Sequence, residues 1–158
     1  MIDMVCIKDN YGHAIRDSCV EECERCHKCE VFLNGKDEYL VLKADVIVKD
    51  KPMCDFIIFR LKPRGRPILI EMKGRTFKVE QAKAQLINGS ALAKTIARKC
   101  FGDWSPESFH PILVCREWDI VKHRMATDDF LRLSGKKHRV IIGECGDRLS
   151  TILRASGK

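Results

Sequence analysis

Glu71 and Lys73 stand one residue apart behind the apolar run Pro67-Ile68-Leu69-Ile70, and Asp55 stands in front of a second run, Phe56-Ile57-Ile58-Phe59. Alternate side chains of a strand share a face, so Glu71 and Lys73 point together while Met72 between them points toward apolar packing. A carboxylate and an ammonium at the end of a buried strand are expensive to desolvate. Carboxylates are hard oxygen ligands of the kind magnesium takes. An ammonium beside them adds fixed positive charge where a phosphate would react. Asp55, Glu71 and Lys73 therefore suit the hydrolysis of a phosphodiester. The plain alternative is a surface hairpin with an ordinary Glu71–Lys73 ion pair, which is worth little.

The elements that must position these residues are a hairpin and a helix. Between the two apolar runs lies the basic turn Lys62-Pro63-Arg64-Gly65-Arg66, whose Pro and Gly read as a hairpin connection. After Lys73, Gly74-Arg75-Thr76 leads into a helix expected over 79–99, with Ala82, Leu86, Ala93 and Ile96 or Ala97 as its apolar face. Gly89 in its middle weakens it and allows close packing.

Asp55, then Glu71-Met72-Lys73, then a helix, resembles the PD-(D/E)xK nuclease superfamily, with Cys54 where the family name has Pro. The resemblance implies that Asp55, Glu71 and the Met72 backbone carbonyl hold Mg²⁺ or Mn²⁺, and that Lys73 positions or activates the attacking water. It implies an α/β fold: a restriction-endonuclease-like αβββαβ core over about residues 13–118, a mixed central sheet flanked by helices, and a C-terminal extension. Several branches of the family carry an extra acidic residue on the first helix. Of Glu21, Glu22 and Glu24, helical spacing puts Glu22 at the edge of a buried stripe, reaching toward Asp55 and Glu71, and turns the other two toward water. RecB-like relatives carry a Gln after the lysine, so Gln81 and Gln85, one turn apart, are candidates beside the substrate; a solvated helix face is the alternative reading.

The rest of the chain follows in order. Met4 to Ile7 makes a short segment. Residues 13–30 read as a helix with Ile15, Cys19, Cys23 and Cys26 on one stripe. Residues 39–48 alternate as a strand. A loop over 101–111 precedes buried strands at 112–115 and 140–143. A helix is expected over 127–133, with Thr127 as its cap and Ser134-Gly135 as its end, and a last helix over 147–155.

Nine cysteines are many for 158 residues. Cys19, Cys23, Cys26 and Cys29 could hold zinc or an iron–sulfur cluster as a second metal site. Residues along one helical stripe do not converge on a metal, so core packing or disulfide pairing is preferred. Cys6, Cys54, Cys100, Cys115 and Cys145 read as core cysteines or disulfide partners.

The length suits one domain over residues 1–158. The N-terminus, with its acidic residues, does not read as a signal peptide. No run is apolar enough to cross a membrane, and a cytoplasmic setting is expected. The formal net charge is +7, which favours polyanions through phosphate neutralisation. Arg60, Lys62, Arg64 and Arg66 around the turn, with Arg75 and Lys78, are the expected phosphate grips. Taken with the resemblance, the expectation is a metal-dependent deoxyribonuclease with DNA as partner, a recombination or repair role such as a Holliday-junction resolvase, and room for a homodimer. The alternative is a non-catalytic nucleic-acid-binding or scaffold module of the same fold.

Overall fold

The computed structural model describes residues 2–23, 27–33, 38–74 and 76–156; of Glu22, Cys23 and His27 only the backbone is described. Its elements are α1 (Met4–Tyr11), β1 (Ile15–Arg16), β2 (Cys19–Cys23), β3 (His27–Val31), β4 (Glu38–Lys43), β5 (Phe56–Lys62), β6 (Ile68–Lys73), α2 (Val79–Cys100), β7 (His110–Cys115), α3 (Ile120–Thr127), β8 (Phe130–Leu133), β9 (Lys136–Arg139), β10 (Ile141–Glu144) and α4 (Leu149–Ser156). Six strands form one mixed sheet in the order β1-β4-β5-β6-β7-β10. The first four run antiparallel as neighbours, β7 lies parallel to β6, and β10 lies parallel to β7.

The continuous apolar runs arise because both faces of the sheet are covered. Leu40, Leu42, Ile57, Phe59, Leu69 and Leu113 pack with residues of α1, α2, α3 and β8. Their alternates Val41, Phe56, Ile58, Ile68, Ile70, Ile112 and Val114 pack with the β2–β3 hairpin and α4. Gly89 lets α2 lie close to the sheet: a Cβ there would fall 2.5 Å from Cys54 Sγ and 3.8 Å from Leu69.

Four expected segments come out otherwise. The helix expected over 13–30 is a short 3₁₀ turn, β1 and the β2–β3 hairpin. In the hairpin Cys19 pairs with Val31 and Glu21 with Cys29, and these pairs face the sheet. Backbone bonds from Gly146 N–H to Glu30 O and from Leu149 N–H to Phe32 O stitch it to the start of α4. Long-range packing thus selected a two-residue period from a stretch that also fits a helical one. The segment at Met4–Ile7 belongs to helix α1, capped by the Asp3 side chain, which accepts from Cys6 N–H at 3.1 Å.

The third departure follows residue 118. α3 starts at an Asp119 cap and ends at Thr127, whose hydroxyl donates back to His123 O. The residues after it, expected as helix, form β8 in a hairpin with β9. Ser134 and Gly135 both have positive φ, 55° and 76°, the geometry of a tight two-residue hairpin turn rather than of a helix end. The strand expected over 39–48 stops at Lys43 and passes into a 3₁₀ turn over Ala44–Val46.

Among the described residues, two disulfides cross the fold. Cys6–Cys100 joins α1 to the end of α2, and Cys29–Cys145 joins β3 to the residue after β10. Among the described residues, no helix is long and apolar enough to cross a membrane.

Candidate active site

The β5–β6 ladder ends at the pair Phe56–Ile70. One step beyond, where Asp55 and Glu71 stand, carboxylates take over from carbonyls as acceptors. Asp55 N–H donates to Glu71 Oε1 at 3.1 Å, and Met72 N–H donates to Asp55 Oδ2 at 2.7 Å. The remaining oxygens meet ammoniums: Glu71 Oε2 lies 2.8 Å from Lys73 Nζ, and Asp55 Oδ1 lies 3.4 Å from Lys43 Nζ. Asp55 and Glu71 are 8 % and 2 % exposed. In a strand a residue's N–H and C=O point to one side, so the Met72 carbonyl faces Asp55 as well.

Lys43 was not among the residues singled out from the sequence. It closes β4, and its ammonium also holds Glu21 Oε2 at 2.7 Å and Asp45 Oδ2 at 2.8 Å while lying over the Phe56 ring. Carboxylate oxygens of Glu21, Asp45 and Asp55 all fall within 4.8 Å of one another. The acidic residue that the first elements bring to the site is therefore Glu21, expected to face water. The expectation for Glu22 rested on a helix that is not there, and the side chain of Glu22 lies outside the described residues.

Burial and the Asp55 charge push the Glu71 carboxyl well above the usual carboxylate range, with Lys73 pulling the other way. Burial raises Glu21 too, opposed by its bond to Lys43 and supported by Asp55 and Asp45. Burial would lower Lys43, yet its bonds to Asp45 and Glu21 and the Asp55 charge raise it overall. Among the described residues the cluster sets four carboxylates against two ammoniums. Fully ionised, it keeps two uncompensated negative charges, the charge of one divalent cation. Hard oxygen donors with that excess fit magnesium or manganese.

The other singled-out residues divide by place. Gln85 on α2 donates from Nε2 to Met53 O at 3.4 Å, two residues before Asp55, and its Oε1 is buried without a partner. Gln81 and Lys78 are exposed, and Arg75 lies outside the described residues. Lys62, Arg64 and Arg66 lie at the far end of the hairpin from Asp55 and Glu71. Glu71 lies five residue steps beyond Arg66, about 16 Å at strand spacing. The turn therefore does not hold the phosphate that would react between the carboxylates.

Of the cysteine cluster, the side chains of Cys19 and Cys29 are described. Cys29 is disulfide-bonded to Cys145, and Cys19 is a free buried thiol raised to about 12 by burial and the Glu30 charge. The Cys23 side chain and Cys26 lie outside the described residues. With Cys29 oxidised, the four cysteines do not supply four thiolates to zinc or to an iron–sulfur cluster.

No family model, curated protein or solved structure matches this chain.

Proposed function

We propose that the Asp55–Glu71–Lys73 cluster hydrolyses DNA phosphodiester bonds with Mg²⁺ or Mn²⁺. The observation that carries this reading is the joining of Asp55 and Glu71 across adjacent strand ends, with Lys73 held at 2.8 Å from Glu71. The order of elements supports it: α1, the antiparallel run β4-β5-β6, the α2 crossover, then β7 parallel to β6. On this reading α1 serves as the first helix of an αβββαβ core, with β1 and the β2–β3 hairpin inserted after it.

Asp55, Glu71 and the Met72 carbonyl would hold the cation. A bound divalent cation polarises the phosphate and lowers the pKa of a coordinated water. Glu71, whose carboxyl burial and the Asp55 charge push upward, would bind the cation in its ionised form. Lys73, oriented by Glu71, supplies fixed positive charge beside the reacting phosphate. Lys43 stays anchored by Glu21 and Asp45 when the Asp55 oxygen turns to another partner.

A non-catalytic nucleic-acid-binding module is the second reading. It is favoured by one observation: each oxygen of Asp55 and Glu71 already has a partner within the chain. The two disulfides fit an oxidising compartment, or the interior of a hyperthermophile, where a cytoplasmic setting would also hold.

A panel of labelled linear, single-stranded, flap and four-way-junction DNA with Mg²⁺, Mn²⁺ or EDTA tests the proposal. Metal-dependent cleavage lost in Glu71→Gln is expected. Absence of cleavage on every substrate, together with no Mn²⁺ bound by paramagnetic resonance, selects the non-catalytic module.

A further inference from the structure

The opposite end of the sheet carries a groove of about 750 Å³ at the starts of β7 and β10. Arg66, His110, Lys137, His138 and Arg139 line it, and no aspartate or glutamate does. A second depression of about 420 Å³ shares Arg66 and adds Arg64, Trp104 and Lys136. Its one acid, Glu107, is already paired with Lys136 at 3.2 Å.

Three of these cations, Arg64, Lys137 and Arg139, lie over aromatic rings. The Arg64 guanidinium lies over Trp104 at 4.9 Å, and Lys137 and Arg139 lie over Phe130 at 5.7 and 4.9 Å. Stacking uses the face of a guanidinium and leaves its in-plane N–H edge for an anion. His138 is fixed beneath them. Its Nε2 accepts from Phe109 N–H at 3.1 Å, which leaves Nδ1 to donate to Lys136 O at 3.0 Å. His110 is held neutral, lowered to about 4 chiefly by burial and by the Arg66 and Arg60 charges around it. Phe130 remains 47 % exposed, a ring on which a base can stack.

We propose that this basic end, from Arg64 through Arg66 to Arg139, binds the sugar–phosphate backbone of a single-stranded nucleic acid, with Phe130 stacking on a base. Several cations spread over two adjoining depressions match a chain of phosphates better than one phosphate group. Exposed aromatic rings among cations are what single-strand binding uses. The inference stands without the hydrolysis reading, because it concerns the other end of the sheet.

The test is fluorescence anisotropy of a labelled oligothymidylate against the full chain in EDTA, with thermal melting of each variant as a fold control. The expected result is roughly tenfold weaker binding for Arg66→Ala with Arg139→Ala, and a shallower salt dependence. Phe130→Ala should weaken the single strand roughly fivefold or more and leave heparin binding unchanged. Wild-type affinity in the arginine double variant overturns the site. An unchanged Phe130→Ala, with heparin competing as well as the oligonucleotide, overturns its assignment to single strands. Binding without cleavage under any metal sinks the hydrolysis reading alone; cleavage with binding indifferent to Arg66 and Arg139 sinks this one alone.

Discussion

The two ends of the β5–β6 hairpin hold charge in opposite ways. At the Asp55–Glu71 end, carboxylates and ammoniums interlock, and both buried carboxylates have all their oxygens engaged by Met72 N–H, Asp55 N–H, Lys43 and Lys73. At the Arg66–Arg139 end, cations rest on Trp104 and Phe130, and the larger groove has no acid in its lining. A closed network fixes geometry, and any ligand must displace a partner to enter it. An open array is ready for an anion but defines no reacting position. On the two proposals made above, the first end would serve chemistry and the second affinity.

The largest expected effect breaks that division if it fails. Glu71→Gln should lower single-turnover cleavage by more than about 100-fold, since it removes a charged ligand at the reacting centre. Thermal melting of Glu71→Gln serves as the fold control, because the substitution keeps the shape of the side chain while removing its charge. Arg66→Ala should chiefly weaken substrate binding. Near-normal cleavage by Glu71→Gln, or a rate loss in Arg66→Ala at saturating DNA as large as that of Glu71→Gln, would erase the distinction.

Next in size is Lys43→Met. Removing the ammonium leaves Asp55, Asp45 and Glu21 facing one another, and breaking a buried pair costs about 3–5 kcal/mol. Glu21 and Asp45 keep 29 % and 37 % of their side-chain surface, so solvent screening reduces this to about 2–3 kcal/mol. Urea unfolding reads the loss, and millimolar Mg²⁺ should restore more of it in the variant than it adds to the wild type. Lys137→Met, at the open end, should stay within about 0.5 kcal/mol. Equal losses for the two lysines would mean that the interlocked end is not held together by its charges.

Gly89→Ala sharpens the comparison through packing. The added methyl would meet Cys54 Sγ at 2.5 Å, next to Asp55, and overpacking of this kind costs about 1–3 kcal/mol. The strain falls at the carboxylate end, so cleavage should suffer while oligothymidylate binding does not. A variant as stable as wild type, with an unchanged rate, would show that α2 is free to move away from the sheet.

What was legible in the sequence followed from local causes. The two apolar runs and the Pro-Gly turn define the hairpin, because strands buried on both faces read as continuous apolar stretches. The same hairpin brings Asp55 to Glu71 and Lys73. Lys43, Asp45 and Glu21 were not legible, since they converge only after β4 is laid beside β5 and the β2–β3 hairpin is tied down through Cys29–Cys145. The cysteine spacing in residues 13–30 satisfies a helical stripe as well as a strand, and only distant partners decide between them. Ser134-Gly135 is the remaining lesson: the same dipeptide ends a helix or turns a hairpin, and the residues on both sides decide which.

The smallest expected effect lies at the basic end and depends on pH. His110 is lowered from 6.5 to about 4, chiefly by burial and by the Arg66 and Arg60 charges. The unfolded chain therefore takes up a proton at His110 near pH 6.5 that the folded chain refuses until about pH 4. Its stabilising contribution is complete above the unfolded value and is lost as pH falls through that window. His110 is partly open to solvent, so the loss should be about 1 kcal/mol after screening. Carboxylates titrate in the same range, which makes the useful quantity the difference between wild type and His110→Gln. Urea midpoints at pH 7 and pH 4.5 should converge on acidification, with wild type losing more than the variant. Added oligothymidylate should shrink the difference, because phosphates in the groove offset the Arg66 and Arg60 charges that hold His110 neutral. If the two proteins lose stability in parallel from pH 7 to 4.5, the cations at this end are already neutralised by the solvent, and the groove is not the open array inferred from its lining.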